Sequence, residues 1–155
     1  MNKRILNFSV AFVFGIFFLS PGVFAQERGS FEEAKSLVNK GLEHVKKVGI
    51  DVAFKDFTED KEHWVVKDIY LFALDMKGNQ KAHGFNAKQI GKNMWDFKDA
   101  NGKLMFQEFT AAAQKGKGTV EYEWTHPTTK KIESKQSYIV RIPNTEYYIG
   151  AGAYK

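Results

Sequence analysis

Apolar residues at Phe31, Ala34, Leu37, Val38, Leu42, Val45 and Val48 recur in steps of three and four, which sets one hydrophobic stripe along a helix of about five turns. Ser30-Phe31-Glu32-Glu33 directly before the stripe has the form of a capping box, and Gly49 ends it. The pattern predicts a helix over residues 30–48, with Leu37 and Leu42 buried against a sheet. A second apolar segment over 52–57, carrying Phe54 and Phe57, predicts one or two further helical turns.

At Lys67 the period changes. Asp68-Ile69-Tyr70-Leu71-Phe72-Ala73-Leu74 is nearly continuous apolar sequence closed by Asp75 and Lys77-Gly78-Asn79, which reads as a central strand buried on both faces. Residues 80–83 return as a short partner strand. Residues 84–100 carry Gly84, Asn86, Gly91 and Asn93 without periodicity and predict a long structured loop with about one helical turn. Asp99 and Asn101 are candidate caps for a helix whose Leu104, Met105, Glu108, Phe109, Ala112 and Ala113 share a face, stopped by Gly116 and Gly118. Three strands follow, over 119–125, 131–142 and 146–154, joined by turns at 126–130 and 143–145. The expected fold is α+β: a PAS-like antiparallel five-stranded sheet with the long N-terminal helix laid across one face.

The first residues change the domain picture. Lys3 and Arg4, an apolar run from Phe8 to Leu19, Pro21-Gly22 and then Val23-Phe24-Ala25 have the three-part form of a secretory signal peptide. We expect residues 1–25 to be removed after Ala25 and residues 26–155 to form one domain in the periplasm or outside the cell. That product carries 21 basic against 18 acidic side chains, a net charge of +3. The lysines are spread rather than clustered, so no nucleic-acid partner is expected. Cysteine is absent, which removes disulfides, thiolate metal sites and thioether haem attachment.

Several segments together carry a resemblance to a known family. Asp68-Ile69-Tyr70-Leu71-Phe72-Ala73-Leu74-Asp75-Met76-Lys77-Gly78, Ala82-His83, Ile90-Gly91-Lys92-Asn93 and Lys98-Asp99-Ala100-Asn101-Gly102-Lys103 resemble the single Cache domains of bacterial chemoreceptors and sensor kinases. Val120-Glu121-Tyr122-Glu123-Trp124, Pro127, Lys135-Gln136-Ser137-Tyr138 and Ile149-Gly150-Ala151-Gly152-Ala153-Tyr154 are similar to the same family's second hairpin and last strand. One departure is His83-Gly84-Phe85, where the family usually places proline after the histidine. The resemblance implies a periplasmic binding module with its pocket between the sheet and the loop-helix excursion. It also implies small-metabolite ligands, often carboxylates. No second span, kinase or signalling helix is read after Tyr154, so a membrane receptor or histidine kinase encoded elsewhere is the expected partner; the oligomeric state is left open.

The candidate site residues follow from strand parity and loop position. Tyr122 and Trp124 share one face of their strand. If the turn sets Tyr122 near Ser134, then Gln136 and Tyr138 join that aromatic face, a floor suited to a small, partly polar ligand. His83, opening the long loop, reads either as a ligand contact or as a residue that ties the loop down. Trp95 reads either as a pocket wall or as a plug over the core. Lys135 is the natural cation for a carboxylate, yet the same register turns it away from Tyr138 to face Glu121, so parity and resemblance disagree.

Catalysis finds little support. Ser30, Ser36, Ser134 and Ser137 lie in a cap, a helix or strands, and His44, His63, His83 and His126 lack metal-ligand spacing. We therefore expect no enzyme, no metal and no cofactor. The competing reading is a structural or interaction protein of the periplasm that keeps the fold without a ligand.

Overall fold

The computed structural model describes residues 27–155. The expected signal peptide and its cleavage point lie outside the described residues.

The first helix, α1 (Phe31–Val48), begins as its sequence predicts: Ser30 Oγ accepts from the Glu33 backbone N–H and Glu33 accepts from that of Ser30. Gly49 adopts φ 85°, a left-handed conformation open to glycine, and turns the chain directly into α2 (Ile50–Glu59). Ala34, Leu37, Val38 and Val45 are buried against the sheet, whereas Leu42 is only half-buried at the stripe's edge, a correction to the expectation.

A short helix, α3 (Lys61–Trp64), leads into β1 (Val65–Val66), which pairs with β2 (Ile69–Tyr70). The predicted central strand therefore comes in two pieces. After Leu71 the chain leaves that small ribbon and enters the main sheet as β3 (Phe72–Asp75), paired on one side with β4 (Gln80–His83). The remaining elements are α4 (Met105–Gln114), β5 (Lys117–Thr125), β6 (Ile132–Arg141) and β7 (Tyr147–Tyr154). The five-stranded antiparallel sheet has the order β4-β3-β7-β6-β5.

One sheet face packs on α1 and α2 through Leu71, Ala73, Ile149 and Ala151. The other packs under α4 through Phe72, Leu74, Val120, Tyr122, Ile139 and Tyr148. The excursion between β4 and α4 is fastened at both ends. Gln80 exchanges backbone hydrogen bonds with Gly91 and Lys92, and Met94 donates to Gly78. At the far end Asp99 accepts from the N–H groups of Asn101, Lys103 and, on β5, Glu123. Asp99 thus pins a loop instead of capping α4, whose N-terminus at Leu104 has no side-chain cap. Gly116, at φ 92°, ends α4, and Gly118 already lies in β5.

Candidate ligand-binding site

The site depends first on the register of β5 and β6. Tyr122 stands opposite Lys135, not Ser134, and the last pair is Thr125 with Ile132. The extra residue sits in the loop, which is built around His126. Its N–H donates to the Lys131 carbonyl, and its Nδ1 accepts from the N–H groups of Thr128 and Thr129 at 3.2 Å each. Lys130 takes φ 61° to close the turn. A slip of one residue exchanges the faces. Lys135 therefore shares the face of Tyr122 without any bulge, while Gln136 and Tyr138 leave it, and Tyr138 packs half-buried on the α1 side.

Lys135 is completely buried. Its Nζ lies 3.9 Å from the centre of the Tyr70 ring, 4.6 Å from that of Tyr154, and 3.5 Å from the Tyr154 hydroxyl. Among the described residues no carboxylate forms an ion pair with it. Burial pushes the ammonium down to about 7, against an opposing pull from Asp68. The phenols around it are held neutral: burial raises Tyr70 to about 12 and raises Tyr122 and Tyr154 as well. Each phenol oxygen also has a neighbour. Trp124 Nε1 donates to Tyr70 at 3.1 Å, Tyr154 donates to the Thr125 carbonyl at 3.0 Å, and Tyr122 is 2.8 Å from Ser137 Oγ. Gly152 lets β7 pass this point, since a Cβ there would collide with Ser137 Oγ and the Gln136 carbonyl.

His83 ends β4 and is 5% exposed. Its Nδ1 accepts from the N–H groups of Phe85 at 3.2 Å and Asn86 at 3.0 Å, so the ring proton sits on Nε2. Burial, and then the charge of Lys135, push the imidazole down to about 3. His83 is thus a neutral hydrogen-bond donor at Nε2. One ring nitrogen ties the loop down, as one of its two readings expects, and Nε2–H is not engaged by that loop. Gly84 explains the missing proline: its N–H donates to the Leu71 carbonyl at 3.0 Å, a bond proline cannot make.

Above these groups lies an open cleft of about 970 Å³ between the end of β5 and the excursion, with Tyr70, His83, Phe85, Phe97 and Trp124 among its walls. Beneath it is a recess of about 10 Å³, room for roughly one water, bounded by Tyr70, His83, Gln89, Tyr122, Trp124 and Phe106. Gln89 Oε1 is the one buried side-chain polar atom without a hydrogen-bond partner among the described residues. Phe97 lies edge-on to Trp124 and Phe106, with ring centres 5.6 and 6.0 Å apart. Lys61, Lys88, Lys98 and Lys130, against Asp99 and Glu123, leave the lining net positive. Lys135 stands behind Tyr70 and contributes its potential without lining the cleft.

Of the expected residues, then, His83, Tyr122 and Trp124 wall the cleft or recess and Lys135 backs it. Trp95 does not join them: it lies half-buried in a shallow depression with Met76, Lys77 and Asn93, while its neighbour Met94 enters the core under α4. Sequence reasoning missed Tyr70, Gln89, Phe97 and a buried pair, His126 Nε2 at 3.2 Å from Asp68 Oδ2, whose other oxygen accepts from the Gly29 N–H at 2.7 Å. Tyr70 lay hidden in a run read only as apolar. His126 was readable, since histidine followed by proline and two threonines is a turn with a ring acceptor. Among the described residues no group of three or more His, Asp or Glu side chains could hold a metal ion, and no helix is long and apolar enough to cross a membrane.

The sequence model of the family Single Cache domain 2 matches residues 25–155. The sensor histidine kinase MctS of Rhizobium johnstonii is 33% identical over 88 residues, 57% of this chain and 19% of that protein. The chain thus spans about a fifth of that relative's length. Two solved structures share the fold. A methyl-accepting chemotaxis protein from Vibrio parahaemolyticus has TM-score 0.68 at 24% identity, covering 79% of this chain and 86% of the other. A Cache chemosensory domain, described for its carboxylic acid recognition, has TM-score 0.68 at 21% identity, covering 79% and 91%.

Proposed function

The chain belongs to the single Cache domain family, and from that premise we propose that it is an extracytoplasmic sensor module that holds a small carboxylate in the cleft between the sheet and the excursion, without transforming it. The observation that carries this reading is the arrangement around the recess. His83 Nε2–H lacks a protein partner there, aromatic rings wall the space, and the buried amine of Lys135 stands behind Tyr70 with no carboxylate paired to it among the described residues.

A buried ammonium without an anion is costly, and a carboxylate placed against His83 would supply one while accepting its hydrogen bond. The neutral state of His83 suits a donor, and the net positive lining favours anionic over cationic visitors. The carboxylic acid recognition described for one structural neighbour agrees with this choice. Signal-peptide cleavage after Ala25 would place the domain in the periplasm. The similarity to part of a sensor histidine kinase supports a membrane kinase or receptor as the protein to which ligand state is passed.

A thermal-shift screen with small carboxylates, amines and amino acids tests the reading. A ligand at 100 times its dissociation constant stabilises by about 2.7 kcal/mol, so a carboxylate should raise the melting temperature by several degrees. Stabilisation by amines alone would overturn the carboxylate class, and no stabilisation by any class at millimolar concentration would favour the ligand-free interaction protein.

A further inference from the structure

The groups that face Lys135 come from every element around it. Tyr154 presents its ring and hydroxyl from β7, Tyr70 its ring from β2, and Tyr122 stands opposite on β5. His83, on the far side of the sheet's edge pair, contributes a neutral ring 4.7 Å from that of Tyr70. Glu133, two residues earlier on β6, is held by Arg28 at 2.7 Å. Asp68 carries the buried negative charge nearest in kind, but its oxygens are taken by Gly29 and His126. The ammonium therefore has aromatic faces and one hydroxyl about it, and no anion in contact.

We infer that anion binding in this cleft is coupled to protonation of Lys135: the empty site holds the neutral amine, and the ligand's negative charge draws one proton from solvent onto Nζ. An N–H bond forms at Nζ, a buffer acid gives up the proton, and the liganded site becomes a buried ion pair separated by the Tyr70 ring. The depressed affinity of Lys135 for its proton agrees with this geometry. The inference rests on the carboxylate reading and deepens it, since it makes the module's response to a carboxylate depend on external pH. Below about pH 7 the amine is already charged and affinity is flat. Above it, affinity falls by about tenfold per pH unit, the signature of one linked proton.

The test is calorimetric titration of the mature chain with acetate, propionate, pyruvate and lactate in paired buffers of lower and higher ionisation enthalpy, HEPES and Tris at about pH 8 and MES and bis-Tris at about pH 6. The expected result is an apparent heat that changes with the buffer by close to one proton taken up per ligand bound, and no such change at about pH 6. Lys135→Arg, whose charge is permanent, should bind without the buffer dependence. Should it fail to fold, pH-dependent melting of the wild type against Lys135→Met gives an independent readout: a neutral native lysine requires the wild type to gain stability relative to the variant between about pH 7 and pH 10. Binding with no buffer dependence overturns the proton coupling alone. A flat melting difference overturns it whatever binds, and no heat from any of the four acids overturns the carboxylate reading and the coupling together.

Discussion

His83 uses its two ring nitrogens for different tasks, and substitutions can separate them. His83→Gln keeps a donor, whereas His83→Ala removes both the donor and the acceptor that holds Phe85 and Asn86. By calorimetry, His83→Ala should weaken a carboxylate by about 1 to 3 kcal/mol, with His83→Gln in between. Tyr138→Phe should leave affinity unchanged, because the true register puts that hydroxyl on the opposite face. A Tyr138→Phe effect as large as that of His83→Ala would show that the site lies on the helix side. The same imidazole sets an acid limit. Its native proton affinity is pushed down to about 3, below the ordinary 6.5, so the unfolded chain binds more protons in between and the native state loses stability as pH falls through that window. The slope from one such group is at most about 1.4 kcal/mol per pH unit. Urea midpoints of wild type and His83→Gln should therefore converge as pH is lowered from 6.5 to about 4, and parallel curves would mean the native imidazole is charged.

At the scale of elements, what was legible had a period and what was hidden had a count. The α1 stripe and its capping box, the β3–β4 turn, the excursion and the three-strand meander all follow from spacing, because each side chain's burial is fixed by the face it occupies. The register of β5 and β6 does not follow, since it depends on whether the turn closes after five residues or six. That is decided by the hydrogen bonds of His126 and by the left-handed Lys130. One residue of error moved Tyr138 into the site and left Lys135 disputed. Two stability measurements check the structure at this scale. Leu37→Ala, at a fully packed position, should cost about 2 to 5 kcal/mol, and Leu42→Ala clearly less, because its cavity opens to solvent. Equal losses would mean the helix is rotated on the sheet. Gly152→Ala should destabilise as strongly as a core truncation, since β6 backbone and Ser137 leave no space for a methyl group. A neutral Gly152→Ala would show that β7 does not pass Ser137 this closely.

Across the whole molecule, the candidate cleft and the segment before α1 meet at Asp68. The carboxylate is fully buried, accepts from Gly29 N–H and His126 Nε2, and neighbours Lys135 through the Tyr154 ring, which lies 4.6 Å from that of His126. The segment before α1 is therefore fastened to the floor of the cleft. Arg28 adds a second fastening, donating to the Lys155 carbonyl at 3.0 Å and to Glu133 at 2.7 Å, so the entry and exit of the chain are joined beside the site. Lys67 bridges Glu27 and Glu33 at the surface, a pair of contacts that high salt should weaken without unfolding the domain. The buried contact is different in kind. Asp68→Ala leaves two buried donors, the Gly29 N–H and the His126 Nε2–H, without acceptors, which should cost about 1 to 3 kcal/mol for each in urea denaturation. Hydrogen exchange at Gly29 should accelerate beyond what global destabilisation accounts for, because that amide loses its acceptor, whereas Ser30, still held by Glu33 in the capping box of α1, should follow global stability. A loss below about 1 kcal/mol, with unchanged exchange at Gly29, would mean that the chain's entry is held by the surface ion pairs alone and that ligand charge at Lys135 has no buried route to it.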